Sequence, residues 1–500
     1  MIETTDLYQA YTRRIQKIAD LKFSSAVLQW DQETYMPEKG STFRGQQLAT
    51  LSELSHELFT ASDTQTLLLD LLGRSDLSAT QKRNAELTFE DYTKLKKLPT
   101  EFVRKMTETI NRAFHSWIEA RRENNFKRFE NDLAKLVELK RQEAEYLEYK
   151  EHPYNALLND YEKGATVAMI DSVFQQLIPE LKGVLDKIQS APQVDDSFLL
   201  QNFPKQTQWE FGMELLKNLH YDFSAGRQDI SEHPFSTSFS PQDVRITTRI
   251  LENDFGSMTW SCIHELGHAL YEQGLPLTEY GLPLGEACSF SIHESQSRLW
   301  ENQVGRSLGF WQHYYPLLLK YFPEQLKNVS VEQFWKGINK VQSSLVRTEA
   351  DEVTYHFHVY IRYELEKRLI ENSISVKDIP SFWNENYKKY LGVAVPDDLR
   401  GCLQDVHWSH GSFGYFPTYS LGSFFAAQFY TTALKQVPEI ENDIREGKSD
   451  KLLKWLRENV HKYGRFYTSD ELCRNISGEG LNTAYFIQYL LDKYRKIYQF

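Results

Sequence analysis

A predominantly all-α protein with one small patch of β-structure is what this sequence predicts, and three observations lead there. Apolar residues recur at spacings of three and four over most of the chain, the period of a helix with one buried face. One stretch, 221–250, breaks that period with short β-branched and aromatic runs set between Gly and Pro. Finally, 41% of the 500 residues are hydrophobic and 14% aromatic, enough for one large core or two closely packed ones.

Taken in order, the stretches 5–27, 41–60 and 80–97 carry the helical period. In 99–122 the residues Phe102, Met106, Ile110, Ala113, Phe114 and Trp117 mark a single stripe, and Pro99 suits its first turn because a missing N–H costs nothing there. The stretches 126–149 and 165–190 continue the pattern, as do most of 330–371 and 421–498. Between Tyr221 and Ile250 two or three short strands are expected, in a sheet just ahead of the strongest motif in the chain. No internal repeat, low-complexity tract or flexible linker interrupts these segments. The expectation is a single unit over 1–500, its helical halves interleaved rather than joined by a linker.

Charge and cysteine content exclude several function classes. The formal net charge is −12, and basic runs such as Lys94-Leu95-Lys96-Lys97 alternate with acidic residues. That is the wrong footprint for nucleic acid or an anionic membrane. The four cysteines form no CxxC pair, which fits a reducing compartment better than a disulfide framework. The first residues lack a signal-like apolar stretch, and no segment approaches the ~20 apolar residues of a membrane span. A soluble cytoplasmic protein is expected.

The chemistry is concentrated in Met258-Thr-Trp-Ser-Cys-Ile-His264-Glu265-Leu-Gly-His268. Histidines four apart lie on one helix face, so both imidazoles can reach one tetrahedral Zn2+. Glu265 then approaches a water held by the metal without joining the ligand set, the arrangement of a general base. Gly274 and Pro276 supply the helix stop. A catalytic zinc also needs a third protein ligand. One common pattern would have glycine at position 271 and histidine at position 274, where this chain has Tyr271 and Gly274. A downstream glutamate is the remaining common solution, with Glu279, Glu286, Glu294 and Glu301 as candidates. Glu294 sits in a helical-looking segment with room for an antiparallel return, a modest advantage over Glu286.

Five ordered elements resemble the thermostable carboxypeptidase Taq family of metallocarboxypeptidases. Trp30-Asp-Gln-Glu-Thr-Tyr-Met-Pro37 looks like its early signature, and Asp243-Val-Arg245-Ile-Thr247 like its DxRxT motif. The HExxH motif is followed by His293-Glu294-Ser-Gln296, then by Val346-Arg347-Thr-Glu-Ala-Asp351, which resembles (I/V)RxxAD. Gly401-Cys-Leu-Gln404-Asp405-Val-His407-Trp408 matches GxxQDxHW and leads into Gly414-Tyr-Phe-Pro-Thr-Tyr419. The resemblance implies a nearly all-α fold around a deep central groove, distantly similar to angiotensin-converting enzyme and the oligopeptidases. It implies Glu294 as third metal ligand, release of single residues from free peptide C-termini with broad preference, and a homodimer. It also implies that Co2+ or Mn2+ can replace Zn2+.

Roles for other residues follow as expectations. An oxyanion needs donors besides the metal, and because relatives in the implied fold use tyrosines from this helix region, the resemblance implies Tyr419 first, with Tyr415 and His407 behind it. Recognition of a terminal carboxylate suits a bidentate guanidinium; the resemblance implies Arg347, with Arg245 as the alternative. Arg298 stands where related sites place a carboxylate that orients a ligating histidine; Glu286, Glu301 or Asp351 are the candidates to replace it. The alternatives to a carboxypeptidase are an endo-oligopeptidase on the same scaffold and a silent protein using the metal as a staple.

Overall fold

Capping chemistry and apolar period agree over most of the chain, and helices form where they agree. A computed structural model describes residues 3–500. Four helices open it, α1 (Thr4–Thr34), α2 (Ser41–Thr60), α3 (Ser62–Leu72) and α4 (Ala79–Lys97). The last begins at a capping box in which Ser78 and Gln81 exchange side-chain and backbone hydrogen bonds. Next come α5 (Thr100–Glu123), α6 (Lys127–Leu147), α7 (Tyr154–Leu158), α8 (Val167–Ser190) and α9 (Lys205–Asn218). Phe102 and Ala113 of the expected α5 stripe are buried, and Met106, Ile110 and Trp117 pack at its margin.

The β-patch is a three-stranded sheet of β1 (Gly226–Ile230), β2 (Ser236–Ser240) and β3 (Asp243–Thr248), in the order β1-β3-β2. β1 runs parallel to β3, and β2 antiparallel to it with an irregularity between Ser238 and Ser240. Its inner face lies on α10 (Phe255–Glu272), where Thr248 and Ser261 share a hydroxyl hydrogen bond of 2.7 Å. That helix starts where the Asp254 carboxylate accepts from the Gly256 N–H. Then α11 (Phe290–Arg298), capped by Ser289, runs into a π-helical stretch, Leu299–Gly305. The chain continues through α12 (Leu308–Tyr321), α13 (Pro323–Leu326), α14 (Val331–Gly337), α15 (Tyr355–Ile370) and α16 (Ile379–Leu391). It ends with α17 (Phe416–Gln436), α18 (Ile440–Arg445), α19 (Asp450–Asn459), α20 (Ser469–Ser477) and α21 (Ala484–Tyr498). The predominantly helical fold with a small sheet is as the sequence predicts.

One expected helical stretch is only partly helical. Most of 338–354 is irregular, because polar side chains there take over the backbone's hydrogen bonds. The Asp351 carboxylate accepts from the N–H groups of Gln342, Val353 and Thr354, an arrangement no continuous helix permits.

Two apolar clusters organise the molecule. The larger runs from α5 to the C-terminal helix. The smaller belongs to α1, α3 and α4, with Tyr11, Leu68, Leu71 and Tyr92 at its centre, and takes in Leu282 from beyond α10. α4 reaches the opposite wall through polar contacts: Lys94 with Asp160, Lys163 with Glu90, and Arg465 with both Asp91 and Glu286. Between α4, the segment 147–166 and the HExxH helix lies a groove of about 1300 Å³.

Two glycines let α10, α11 and α17 close on one another at the groove floor. A Cβ at Gly267 would lie 2.5 Å from the Gln296 carbonyl oxygen and the Ser297 Cα, and one at Gly422 would lie 2.6 Å from the Glu294 Cγ. At one end of this packing Glu366, buried on α15, holds the turn that leads into α17. It accepts from Trp408 Nε1 and the Gly414 N–H, both at 2.8 Å, and from the Tyr154 hydroxyl. Burial pushes its pKa up to about 7 against the partial relief of these donors.

Gly267→Ala is expected to lose roughly 1–3 kcal/mol of stability, as overpacking of a tight contact does, and denaturant unfolding measures it. Glu366 binds its proton more tightly folded than unfolded, so its favourable contribution is complete below about pH 4.5 and is lost as pH rises through about 7. The expected loss is on the order of 2–3 kcal/mol, and Glu366→Gln should flatten that part of the stability–pH curve.

Candidate metal centre and active site

His264 and His268 follow each other by one turn on α10, with ring centroids 5.0 Å apart. α11 crosses them and delivers Glu294, whose Oε2 lies 3.6 Å from His264 Nε2 and 3.5 Å from His268 Nε2. A tetrahedral ion with ~2.1 Å bonds has ligand–ligand edges of about 3.4 Å, so the three donor atoms stand at the separations such a cation needs. Among the described residues they are the one His/Cys/Asp/Glu cluster with ligand spacing. The far nitrogens of both rings are engaged elsewhere, which leaves each Nε2 for a metal. Of the other glutamates considered for third ligand, Glu279 accepts from Asn84, Glu286 pairs with Arg465, and Glu301 meets the His264 ring.

Glu301 Oε2 is 2.9 Å from His264 Nδ1. A carboxylate behind a ligating histidine fixes its tautomer and raises its basicity. Arg298 explains why the usual position holds a base here. Its Nε donates to Glu294 Oε1 at 2.7 Å and its Nη1 to Glu301 Oε2 at 3.2 Å, while Arg306 reaches Glu301 Oε1 at 3.3 Å. The row Glu294, Arg298, Glu301, Arg306 advances by four, three and five residues, and the last step is the i→i+5 spacing of a π-turn. Burial opposes ionisation of both carboxylates, yet Arg298 and the histidines hold them well below the usual range. Burial beside His293 pushes His268 down to about 4, so it stays neutral, the form that binds metal.

Glu265 is buried one residue from the first ligand, and burial raises its pKa. Ser236 of β2 donates to Glu265 Oε2 at 2.5 Å, so the edge strand holds the expected base in place. No motif in the sequence pointed to Ser236; only the pairing of β2 with β3 brings it over α10.

Tyr415 and Tyr419 line the groove opposite the histidines. Burial pushes Tyr415 up to about 12 and Tyr419 well above the usual phenol range, so both are O–H donors at neutral pH. His407 Nε2 lies 3.1 Å from the Tyr419 hydroxyl, and burial drives this imidazole down to about 3, so it is uncharged. Arg347 lies behind Tyr419, its guanidinium 4.9 Å from the ring centroid. It shares Asp405 with Arg362, at 3.0 Å and 2.7 Å, and donates to the Tyr355 hydroxyl at 3.1 Å. Arg245 is placed elsewhere. It pairs with Asp243 through two 2.9 Å contacts, and its guanidinium stacks 4.4 Å over Trp30, tying the sheet to α1. Asp351, a candidate partner for the ligating histidines, caps its own turn instead.

The chain is similar to known proteins over almost its whole length. The chain is 38% identical over 492 residues to Carboxypeptidase 1 of Bacillus subtilis (strain 168), covering 97% of each. It is 36% identical to Thermostable carboxypeptidase 1 of Pyrococcus furiosus, over 98% of each. The crystal structure of the M32 carboxypeptidase from Deinococcus radiodurans R1 superposes with a TM-score of 0.97 at 38% identity, over 99% of this chain and 100% of that one. Residues 10–494 match the family model for the carboxypeptidase Taq (M32) metallopeptidases. A family model matching nearly the whole chain, with relatives 36–38% identical over almost their full length, places this chain in the carboxypeptidase Taq (M32) family of metallopeptidases.

Proposed function

We propose that the chain is a zinc metallocarboxypeptidase that removes single residues from the free C-termini of peptides with broad preference. The observation that carries this reading is Glu265 standing beside a His264–His268–Glu294 set of ligand spacing, at the floor of a groove wide enough for a peptide. His264, His268 and Glu294 would hold Zn2+, or Co2+ or Mn2+ in its place, and the ion would supply Lewis acidity toward the attacking water and the scissile carbonyl. Glu265 accepts the proton from that water and passes it to the departing amine, while Ser236 keeps its carboxylate aimed at the reacting atoms. Tyr419 donates its O–H to the developing oxyanion, with His407 directing that hydroxyl and Tyr415 as the neighbouring donor.

Recognition of the substrate's terminal carboxylate is assigned to Arg347, with Arg245 as the alternative. Two guanidiniums share one carboxylate at Asp405, which leaves a positive charge unmatched there, and the Tyr419 ring that lines the groove lies 4.9 Å from Arg347. Arg245 is already matched by Asp243 and stands among Trp30 and Phe239. The whole chain works as one catalytic unit with interleaved helical halves. A cytoplasmic homodimer is our reading of its setting; the four free cysteines support a reducing compartment.

Glu265→Gln should retain metal and lose ~10²–10⁴-fold in kcat, followed as release of the terminal residue. Full activity in that variant would refute the mechanism. A peptide with a free C-terminus should lose its last residue in a chelator-sensitive way, and its C-terminally amidated twin should not. Equal internal cleavage of both would identify an endo-oligopeptidase instead.

A further inference from the structure

The two histidines of the metal centre are oriented by different means. His264 meets the Glu301 carboxylate directly, at 2.9 Å. His268 meets no carboxylate on its Nδ1 side. That nitrogen lies 2.5 Å from Nδ1 of His293, the residue just before the third ligand, and His293 Nε2 lies 2.8 Å from Glu272 Oε1. Glu272 is one turn beyond His268 on the same helix, so His264, His268 and Glu272 form a row at i, i+4 and i+8. The His293 ring enters from α11, 4.6 Å from the His268 ring, with Tyr271 against it at 5.4 Å.

We propose that Glu272 and His293 form a relay that sets the tautomer and ring orientation of His268, making His293 a positioning residue of the metal centre. The proposal rests on the reading of His264, His268 and Glu294 as the metal ligands. The 2.8 Å contact to a carboxylate oxygen makes His293 Nε2 the donor to Glu272. Two Nδ1 atoms 2.5 Å apart share one hydrogen, and with its own on Nε2, His293 offers the lone pair of Nδ1. The nitrogen facing that lone pair, His268 Nδ1, is therefore the protonated one. His268 Nε2 is left with the lone pair, and it points at Glu294 and the metal position. Two rings in series thus carry to His268 the instruction that Glu301 gives His264 in one contact.

The test is metal affinity, measured by competition with a chromophoric chelator for Zn2+, with the absorption spectrum of the Co2+-loaded protein as a second readout. His293→Ala should weaken binding by ~10–100-fold, the usual effect of losing a partner of a ligating histidine, and should shift the Co2+ bands. Added imidazole should restore part of the affinity. Glu272→Ala, near the exposed end of α10, should weaken binding on its own and cost nothing further in the His293→Ala background, because it acts only through that ring. Single variants that bind as tightly as the parent, or losses that add in the double variant, would overturn the relay. Should His293→Ala fail to fold, Glu272→Ala decides alone. His264→Ala provides the separate control: parent metal binding that survives this change refutes the ligand assignment itself, whereas loss in His264→Ala with unchanged Glu272→Ala refutes only the relay.

Discussion

Buried charge is the constraint around which this site is built. Two carboxylates, Glu294 and Glu301, sit within packed helices where burial opposes their ionisation, one at ligand spacing from two histidines and the other against the far nitrogen of the first. The alternating row Glu294–Arg298–Glu301–Arg306 pairs both along one face of a single segment. Removing either arginine would leave a carboxylate facing protein with too few donors, so the row is interdependent. The close approach of α10, α11 and α17 across Gly267 and Gly422 buries the two carboxylates beside it.

The rest of the fold serves that packed triad of helices. The sheet contributes no ligand. It lies on α10 and brings one hydroxyl, Ser236, to the carboxylate beside the first histidine. α15 and the turn before α17 stand on the other side, where buried Glu366 gathers the Trp408 indole, the Gly414 N–H and the Tyr154 hydroxyl. That turn fixes where Tyr415 and Tyr419 emerge into the groove. The first four helices, with a smaller core of their own, wall the groove by ion pairs more than by apolar contact.

What was legible in the sequence was what depends on short-range periodicity. The i, i+4 histidines, the helical class, the early boundaries of α2 and α4, and the location of the sheet all follow from spacing and capping. Pattern alone favours Glu294 only modestly over Glu286, because a candidate ligand arriving from another helix leaves no local trace. The partner of His264 was open among three acids for the same reason, and Asp351 went to a backbone turn that no period announces. Ser236 and Glu272 carried no signal: each matters through one contact made across elements. Arg347 and Arg245 look alike as arginines in motifs, yet their surroundings differ, a shared carboxylate behind Tyr419 for one and a dedicated partner under Trp30 for the other. Charge environments of this kind arise only when distant segments meet.

The π-helical stretch from Leu299 to Gly305 has a geometric consequence for the charged row. An α-helix turns about 100° per residue, so a side chain five positions on points roughly 140° away from its predecessor. Winding i→i+5 returns Arg306 to the stripe that Glu301 occupies, and Glu301 is thereby clamped by a guanidinium on each side. The stretch acts as a phase correction in a periodic object: one slackened turn holds two residues in step, and the orientation of the first histidine inherits that phase.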